Sequence, residues 1–403
     1  MRNWTYIVMG LFLLLLWLPL TQTAIRWLPE APLAGVEKSP RPPVFRPAAW
    51  WDGSLQERFE PWFNAKVGLR GWMVRTYNQI HFALWRRFAG SGTKVVLGRN
   101  DVLFEKAYVD AYQAPRERKE RELRDVCHGV RELQDRLAAR GIAFLLVIAP
   151  SKAEILPEYL PGGMDVAGRR ERRSTRERMA PLLDEYGIHH LDAHEWFRQW
   201  KTNEGVTLFP RGGTHWNHYA AARVVELTLE ALRGQTKRPL PEFRVTGAVT
   251  NDRVWGADND LGELLNLWTC RRFTGPQVHP VTARTPCDPL PDILLVGDSF
   301  VLTLTRVMDE EKLYRKRDTF YYFNRRFGYP GEVEQALDRR QMDLAAELEG
   351  RDAVVIEISE YWLPRIGFGF VKAALKALGE GVEEVQRFNG SGLGGSAVGM
   401  LGL

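Results

Sequence analysis

Apolar residues along this chain fall into two rhythms. Four short stretches are apolar almost without a break: residues 143–149, 293–296, 320–323 and 353–358. Runs of that length, the first closed by Pro150, predict strands covered on both faces. Before and between them helical patterns run over residues 116–140, 175–186, 217–233 and 330–348. Gly141 stands where the first of these helices should stop. Strands alternating with helices predict an α/β domain, a parallel sheet between two helical layers. Upstream, Phe59, Phe63, Trp72, Tyr77, Ile80, Leu84 and Phe88 predict two helices broken near Gly68 and Gly71.

The N-terminus follows neither rhythm. Residues 4–20 carry no charge, and extension to Ile25 gives about 20 residues, enough to cross a bilayer as a helix. Arg2, Trp4, Tyr6, Arg26 and Trp27 flank it as interfacial anchors do. The run is long for a signal-peptide core, and no clear small-x-small cleavage site follows. An uncleaved anchor over residues 1–27 is expected, with a cleaved signal peptide as the rival. Arg2 against Arg26 and Lys38 is too balanced to fix orientation. Pro29, Pro32, Pro40, Pro42, Pro43 and Pro47 then predict a stiff stalk over residues 28–53. The main domain is expected over 54–375, with a leading helical segment at 54–92. A Gly/Ser-rich tail, 376–403, lacks the apolar residues to order itself. No internal repeat is visible.

Composition narrows the class. The chain has 403 residues, 45% hydrophobic and 26% charged, which is ordinary globular material. A mean hydropathy of −0.30 excludes a polytopic membrane protein but hides one span. The net charge of +5 comes without a nucleic-acid-binding motif, so nucleic acid is not expected as a partner. The densest basic run, Arg169 to Arg173 with Arg176 and Arg178, reads as a solvated helix start or as a contact for anionic polysaccharide or lipid headgroups. His189, His190 and His194 are not expected to hold metal, because His189 opens a short strand and breaks the i, i+4 spacing. No cofactor is expected. Trp50, Trp51, Trp62, Trp72 and Trp85 make the segment before the domain aromatic, and most are expected in its core.

Chemistry concentrates at two places. Residues 294–300 (LLVGDSF) are an apolar strand running into Gly-Asp-Ser. Ligands on parallel sheets bind beyond the carboxyl ends of strands, so Ser299 is presented at the active edge, at a turn that Gly297 permits. A helix beginning near Val301 would aim its free N–H groups at the same point. Residues 209–219 (FPRGGTHWNHY) precede an Ala/Leu-rich helix, and His215 is a candidate general base for the serine hydroxyl. Ser299 also reads as a helix cap, and His215 as a surface residue.

The Gly-Asp-Ser-Phe turn and the Thr-His-Trp-Asn loop, with His before Ser, resemble the periplasmic alginate O-acetyltransferase family (AlgX/AlgJ-like, with an SGNH-hydrolase-like domain). Residues 59–70, 94–104, 148–152 and 156–161 are similar to further family segments in the same order. The resemblance spans about residues 55–365. It implies a three-layer α/β domain outside the cytoplasm, held to the bacterial inner membrane by the N-terminal helix. It also implies transfer of acetyl groups to hydroxyls of an exported polysaccharide, the donor delivered by a multispanning membrane O-acyltransferase partner. In such a mechanism His215 takes the proton of Ser299, an acyl-serine forms, and a sugar hydroxyl resolves it. The Ser299 backbone N–H is one expected oxyanion donor, and Asn324, after a later strand, a second. Outside the cytoplasm, Cys270 and Cys287 are expected to form a disulfide, worth about 3 kcal/mol by loop closure, with Cys127 a buried thiol.

One position departs from the family pattern. The base motif is commonly Asp-x-His, and Gly213 stands where the Asp would be. Three readings stay open at this level. An acid comes in from elsewhere, with Asp192, Glu195 and Asp298 as candidates. A Ser299–His215 dyad works alone. Or the domain is a non-catalytic polysaccharide-binding or assembly component. An SGNH-type esterase shares the chemistry, differing only in whether water or a sugar reaches the acyl-enzyme.

Overall fold

The computed structural model describes residues 2–35, 40–88, 94–115, 118–162, 164, 173–329 and 334–379. Helix α1 (Arg2–Ile25) leads, followed by α2 (Pro47–Trp51), α3 (Ser54–Lys66) and α4 (Arg70–Trp85). A small ladder, β1 (Val95–Leu97) and β2 (Leu103–Glu105), precedes α5 (Lys106–Gln113) and α6 (Glu120–Ala138). Then come β3 (Ala143–Ala149), α7 (Lys152–Ile155), α8 (Thr175–Glu185), β4 (His190–Asp192), α9 (Ala193–Asn203) and α10 (His218–Arg233). An antiparallel pair, β5 (Glu242–Asn251) and β6 (Gln277–Thr285), brackets α11 (Asp260–Leu264). The chain returns through β7 (Asp292–Gly297), α12 (Val301–Glu310), β8 (Lys316–Tyr321), β9 (Arg325–Tyr329), β10 (Gln335–Ala336), α13 (Leu344–Leu348) and β11 (Ala353–Ser359).

Seven strands form the central sheet in the order β10-β9-β8-β7-β11-β3-β4. The five from β8 to β4 are parallel, and β9 and β10 close one edge antiparallel. Side-chain alternation splits each central strand between two cores. Leu145, Val147, Ile293, Leu295 and Val355 pack under α9, α10 and α12. Phe144, Leu146, Ile148, Leu294, Val296 and Ile356 pack against α6, α8 and the helix at residues 370–379. The uninterrupted apolar runs of the sequence are the consequence of this double burial.

Two stretches depart from the apolar pattern. The third run is displaced: β8 ends at Tyr321, and Tyr322 and Phe323 turn with φ of 46° and 49°. The Tyr322 N–H makes the last β7–β8 ladder bond, to the Gly297 carbonyl at 2.8 Å, before the chain turns. The helix expected over 330–348 is mostly absent. Residues 330–333 lie outside the described residues, β10 pairs with β9, and only α13 is helical. Arg339, in the intervening turn, donates to the carbonyls of Phe323 and Tyr322 instead of serving a helix face.

The leading segment folds onto the domain. On α4, Arg75 donates to Leu267 O (2.6 Å) and Asn78 to Leu265 O (2.9 Å), with Phe82 buried on the same stripe. Gly71 sits so close to the chain that a Cβ would meet Ala31 O at 1.9 Å. The first part of the expected stalk is therefore strapped down: Ala34 and Asn266 exchange two hydrogen bonds, and Trp72 Nε1 donates to Pro29 O. Trp50 and Trp51 on α2 are exposed and Trp62 is half-buried; Trp72 and Trp85 are exposed because the inner stripe of α4 is filled by Gly71, Arg75, Asn78 and Phe82. Helix α1 is the one helix among the described residues long and apolar enough to cross a membrane, and it is almost wholly uncovered.

Cys270 and Cys287 are free thiols, donating to Gly262 O and Pro239 O respectively. The nine-residue strand β6 runs between them. At roughly 3.3 Å per residue an extended strand spans tens of ångströms, against about 6 Å between Cα atoms in a disulfide. Cys127 is fully buried in α6, as expected. Of the basic run, residues 169–172 and most of the Gly/Ser-rich tail lie outside the described residues. Arg176, in the first turn of α8, pairs with Asp192 at 2.8 Å.

Candidate active site

Ser299 lies at the carboxyl end of β7, one residue before the cap of α12, and is partly exposed between buried Asp298 and Phe300. Gly297 is required there, since a Cβ would meet Val301 Cβ at 2.7 Å and Glu357 Oε2 at 2.8 Å. Asp298 is wholly buried and braces the turn. Its Oδ1 accepts from Phe300 N (2.9 Å) and its Oδ2 from Ser359 N (2.8 Å), tying β7 to β11. The Tyr322 hydroxyl lies beside Ser299. Burial first, and then the Asp298 carboxylate, raise the Tyr322 hydroxyl well above its ordinary range, so it stays protonated. Ser299 thus sits where the N–H groups and dipole of α12 converge with a neutral phenol.

His215 is held by a loop tied down at several points. Asn217 caps α10 by accepting from Ala220 N (3.0 Å), and its own N–H donates to Leu208 O (2.9 Å). The Lys152 ammonium, buried, donates to Leu103 O, Pro210 O, Arg211 O and Gly213 O at 2.6–3.0 Å. Burial pulls Lys152 down to about 7, against four acceptors that favour the charged ammonium. The His215 ring packs edge-on against Phe300, centroids 4.8 Å apart, which brings His215 to the sheet edge that carries Ser299. Its Nδ1 stands 3.0 Å from Asp260 Oδ2 at the start of α11. That is ion-pair distance, but the ring is not turned into line for a hydrogen bond, and Nε2 is also buried without a partner among the described residues. Catalytic hydrogen bonds are often slack before substrate arrives. Glu105, at the end of β2, stands by the same groups. Burial raises its pKa, opposed by His215.

The structure brings Ser299 and His215 to one edge and separates the other candidates. Asp298 spends both oxygens on backbone N–H groups and does not orient His215. Asp192 ends β4, three strands from β7, where it accepts from His194 Nδ1 (2.6 Å) and from Arg176. Glu195 is exposed on α9, bonded to Gln199. Asn324 is an exposed turn residue whose N–H goes to Tyr321 O and whose carbonyl accepts from Leu337 N, and Tyr322 takes the place beside Ser299. Asp260, Tyr322, Glu105 and the Lys152 cage carried no sequence signal of their role. Each reaches this edge from an element remote in the chain.

A second histidine is buried nearby. His194, wholly inaccessible, is clamped between Asp192 and Glu360 (Nε2 to Oε2, 2.9 Å). Glu360 lines a cleft of 400 Å³ with Arg118, Arg176, Trp362 and Arg365, beyond the end of β11. Among the described residues no three His, Cys, Asp or Glu side chains converge as a metal site.

The model of a family described as SGNH hydrolase-like domain, acetyltransferase AlgX, matches residues 95–353. Among solved structures, the O-acetyltransferase domain of Pseudomonas putida AlgJ is similar at 17% identity, over 67% of this chain and 92% of that one, with a TM-score of 0.42. Pseudomonas aeruginosa AlgX is similar at 16% identity, over 69% and 65%, with a TM-score of 0.42. Bacillus cereus PatB1 is similar at 11% identity, over 67% and 96%, with a TM-score of 0.39. No curated protein sequence matches the chain.

Proposed function

The chain belongs to the SGNH hydrolase-like AlgX acetyltransferase family, and from that premise we propose that it is a membrane-anchored O-acetyltransferase acting on hydroxyls of an exported polysaccharide. The observation that carries the reading is the placement of His215 against Phe300, at the strand end that presents Ser299. His215 Nε2 takes the hydroxyl proton as Ser299 Oγ adds to the acyl carbonyl. The tetrahedral oxyanion is met by the Ser299 N–H, the N-terminus of α12 and the Tyr322 hydroxyl. Collapse expels the donor's leaving group, which receives the proton from His215, and leaves an acyl-serine. An acceptor hydroxyl then gives its proton to His215, attacks the ester carbonyl, and carries the acyl group away as Ser299 regains its proton.

Helix α1 supports anchoring in the inner membrane, with the catalytic domain on the periplasmic side. A multispanning acyltransferase as donor partner agrees with that placement. The test uses the full chain in detergent, incubated with an activated acetyl ester. Mass spectrometry should find an acetyl adduct on the peptide containing Ser299. Ser299→Ala should abolish both adduct and turnover, and His215→Ala should reduce turnover at least about 10³-fold, the scale on which losing a triad member acts. Turnover that survives both substitutions rejects the site.

A further inference from the structure

Gly213, which stands where a carboxylate is expected, cannot carry one. A Cβ at that position would lie 2.6 Å from Ala257 O, 2.7 Å from Pro210 Cγ and 2.9 Å from Asp258 O. Two of these neighbours are backbone atoms, so no rotamer relieves the clash. Gly212 is equally closed, its Cβ direction blocked by Asn259 Oδ1 at 2.3 Å and Phe273 O at 2.8 Å. The space is taken by the turn at residues 255–260. Asp258 closes that turn, accepting from Trp255 N at 2.7 Å, and Gly262 N docks it by donating to Gly212 O at 3.0 Å.

The turn delivers Asp260 to the His loop. Its Oδ1 accepts from Thr214 N (2.8 Å) and from Leu261 N (2.7 Å), which fixes the carboxylate plane. The remaining oxygen, Oδ2, is the one 3.0 Å from His215 Nδ1. Thr214 is the neighbour of His215, so one carboxylate holds both the backbone of the loop and the ring it carries.

We propose that Asp260 is the positioning carboxylate for His215, supplied by the α11 turn, and that the Gly212–Gly213 pair exists to let that turn approach. This rests on the reading of Ser299 and His215 as nucleophile and base. Asp260 does not touch the substrate. It holds the ring with Nδ1 protonated, so that Nε2 faces Ser299 as an acceptor, and it stabilises the imidazolium formed when the proton moves.

The experiment compares wild type, Asp260→Asn, Glu105→Gln, Gly213→Asp/Asp260→Asn and Ser299→Ala as full chains in detergent. Asp260→Asn keeps the shape and should retain the melting temperature, with kcat lower by about 10³- to 10⁴-fold and KM within a few-fold, as expected when the acid of a triad is neutralised. Long-range ¹⁵N–¹H correlation should find wild-type His215 as the Nδ1–H tautomer, and Asp260→Asn should lose that preference. Restoring an acid at position 213 should not restore kcat. A kcat for Asp260→Asn within about threefold of wild type overturns the proposal, as does loss of kcat and tautomer in Glu105→Gln in its place, or recovery in the double variant. Ser299→Ala separates the levels. If it stays active, the nucleophile assignment fails; if it is dead while Asp260→Asn is not, only the Asp260 assignment fails.

Discussion

Glu357 lies fully buried on β11 beneath Gly297, with neither carboxyl oxygen in an aligned hydrogen bond among the described residues. Burial, and then the neighbouring Asp298 carboxylate, raise its pKa well above the ordinary value. The folded protein therefore keeps a proton that the unfolded chain releases above about pH 4.3. A group that binds more protons folded than unfolded makes stability fall as pH rises through that range. Glu357→Gln mimics the protonated form and removes the pH term. Relative to wild type, its melting temperature should rise between pH 4 and pH 7, measured by thermal unfolding in matched buffers. A relative fall over that interval would mean that Glu357 is ionised in the native state and braces the turn as an anion. The same turn shows why Asp298 was misleading as a triad acid. It lies beside Ser299 in the chain, but its oxygens point back into the sheet.

At the scale of elements, the His loop is a device that joins β2, α7 and α10. Lys152 opens α7 and binds four carbonyls, three of them in the loop itself. Replacing it with Met fills much of the volume and strands Leu103 O and Gly213 O, each a buried acceptor worth about 1–3 kcal/mol when unpaired, while Arg211 O keeps Leu103 N and Pro210 O keeps Gly213 N. We expect Lys152→Met to lower unfolding free energy by at least about 2 kcal/mol in urea titration, with faster amide hydrogen exchange at residues 211–217 than elsewhere. Equal exchange across the domain would show that the cage stabilises the fold without tightening the loop. Helix α4 has a similar double role. Its Arg75–Asn78–Phe82 stripe grips the domain, while Met73, Tyr77, Ile80 and Leu84 lie exposed on the opposite side.

For the whole molecule, the buried Asp192–His194–Glu360 cluster links β4, α9 and the end of β11. Burial alone would lower the His194 pKa, but Glu360 and Asp192 outweigh it and the pKa is raised. Asp192 and Glu360 are each lowered to about 2, burial being overcome mainly by His194. The histidine contributes stability fully below its unfolded value near 6.5, lost as pH rises through its folded pKa. The carboxylates contribute above their unfolded values near 4, lost as pH falls towards about 2. The cluster is therefore at full strength between about pH 5 and 6.5. The gap in melting temperature between wild type and His194→Gln should be widest there and narrow on both sides. A gap that grows steadily towards pH 9 would show that His194 is neutral in the fold.

Residues at a sheet edge come from chain segments far apart, and that sets what was legible. The strands at 143–149, 293–296 and 353–358, the helices α8 and α10, and the presentation of Ser299 followed from periodicity, because local burial writes itself into local pattern. His215 was legible through its loop motif. Asp260 was not, since it comes within reach of His215 only after α10 and β5 carry the chain out and back. Tyr322 was hidden for a related reason: it comes beside Ser299 only because β8 pairs with β7 in the sheet, with Gly297 opposite Tyr321. Sequence alone determined the layers, the anchor-like helix and the place of Ser299 at the end of a parallel strand. Tertiary structure decided which carboxylate faces His215, because that depends on a backbone approach that two glycines permit and no spacing encodes.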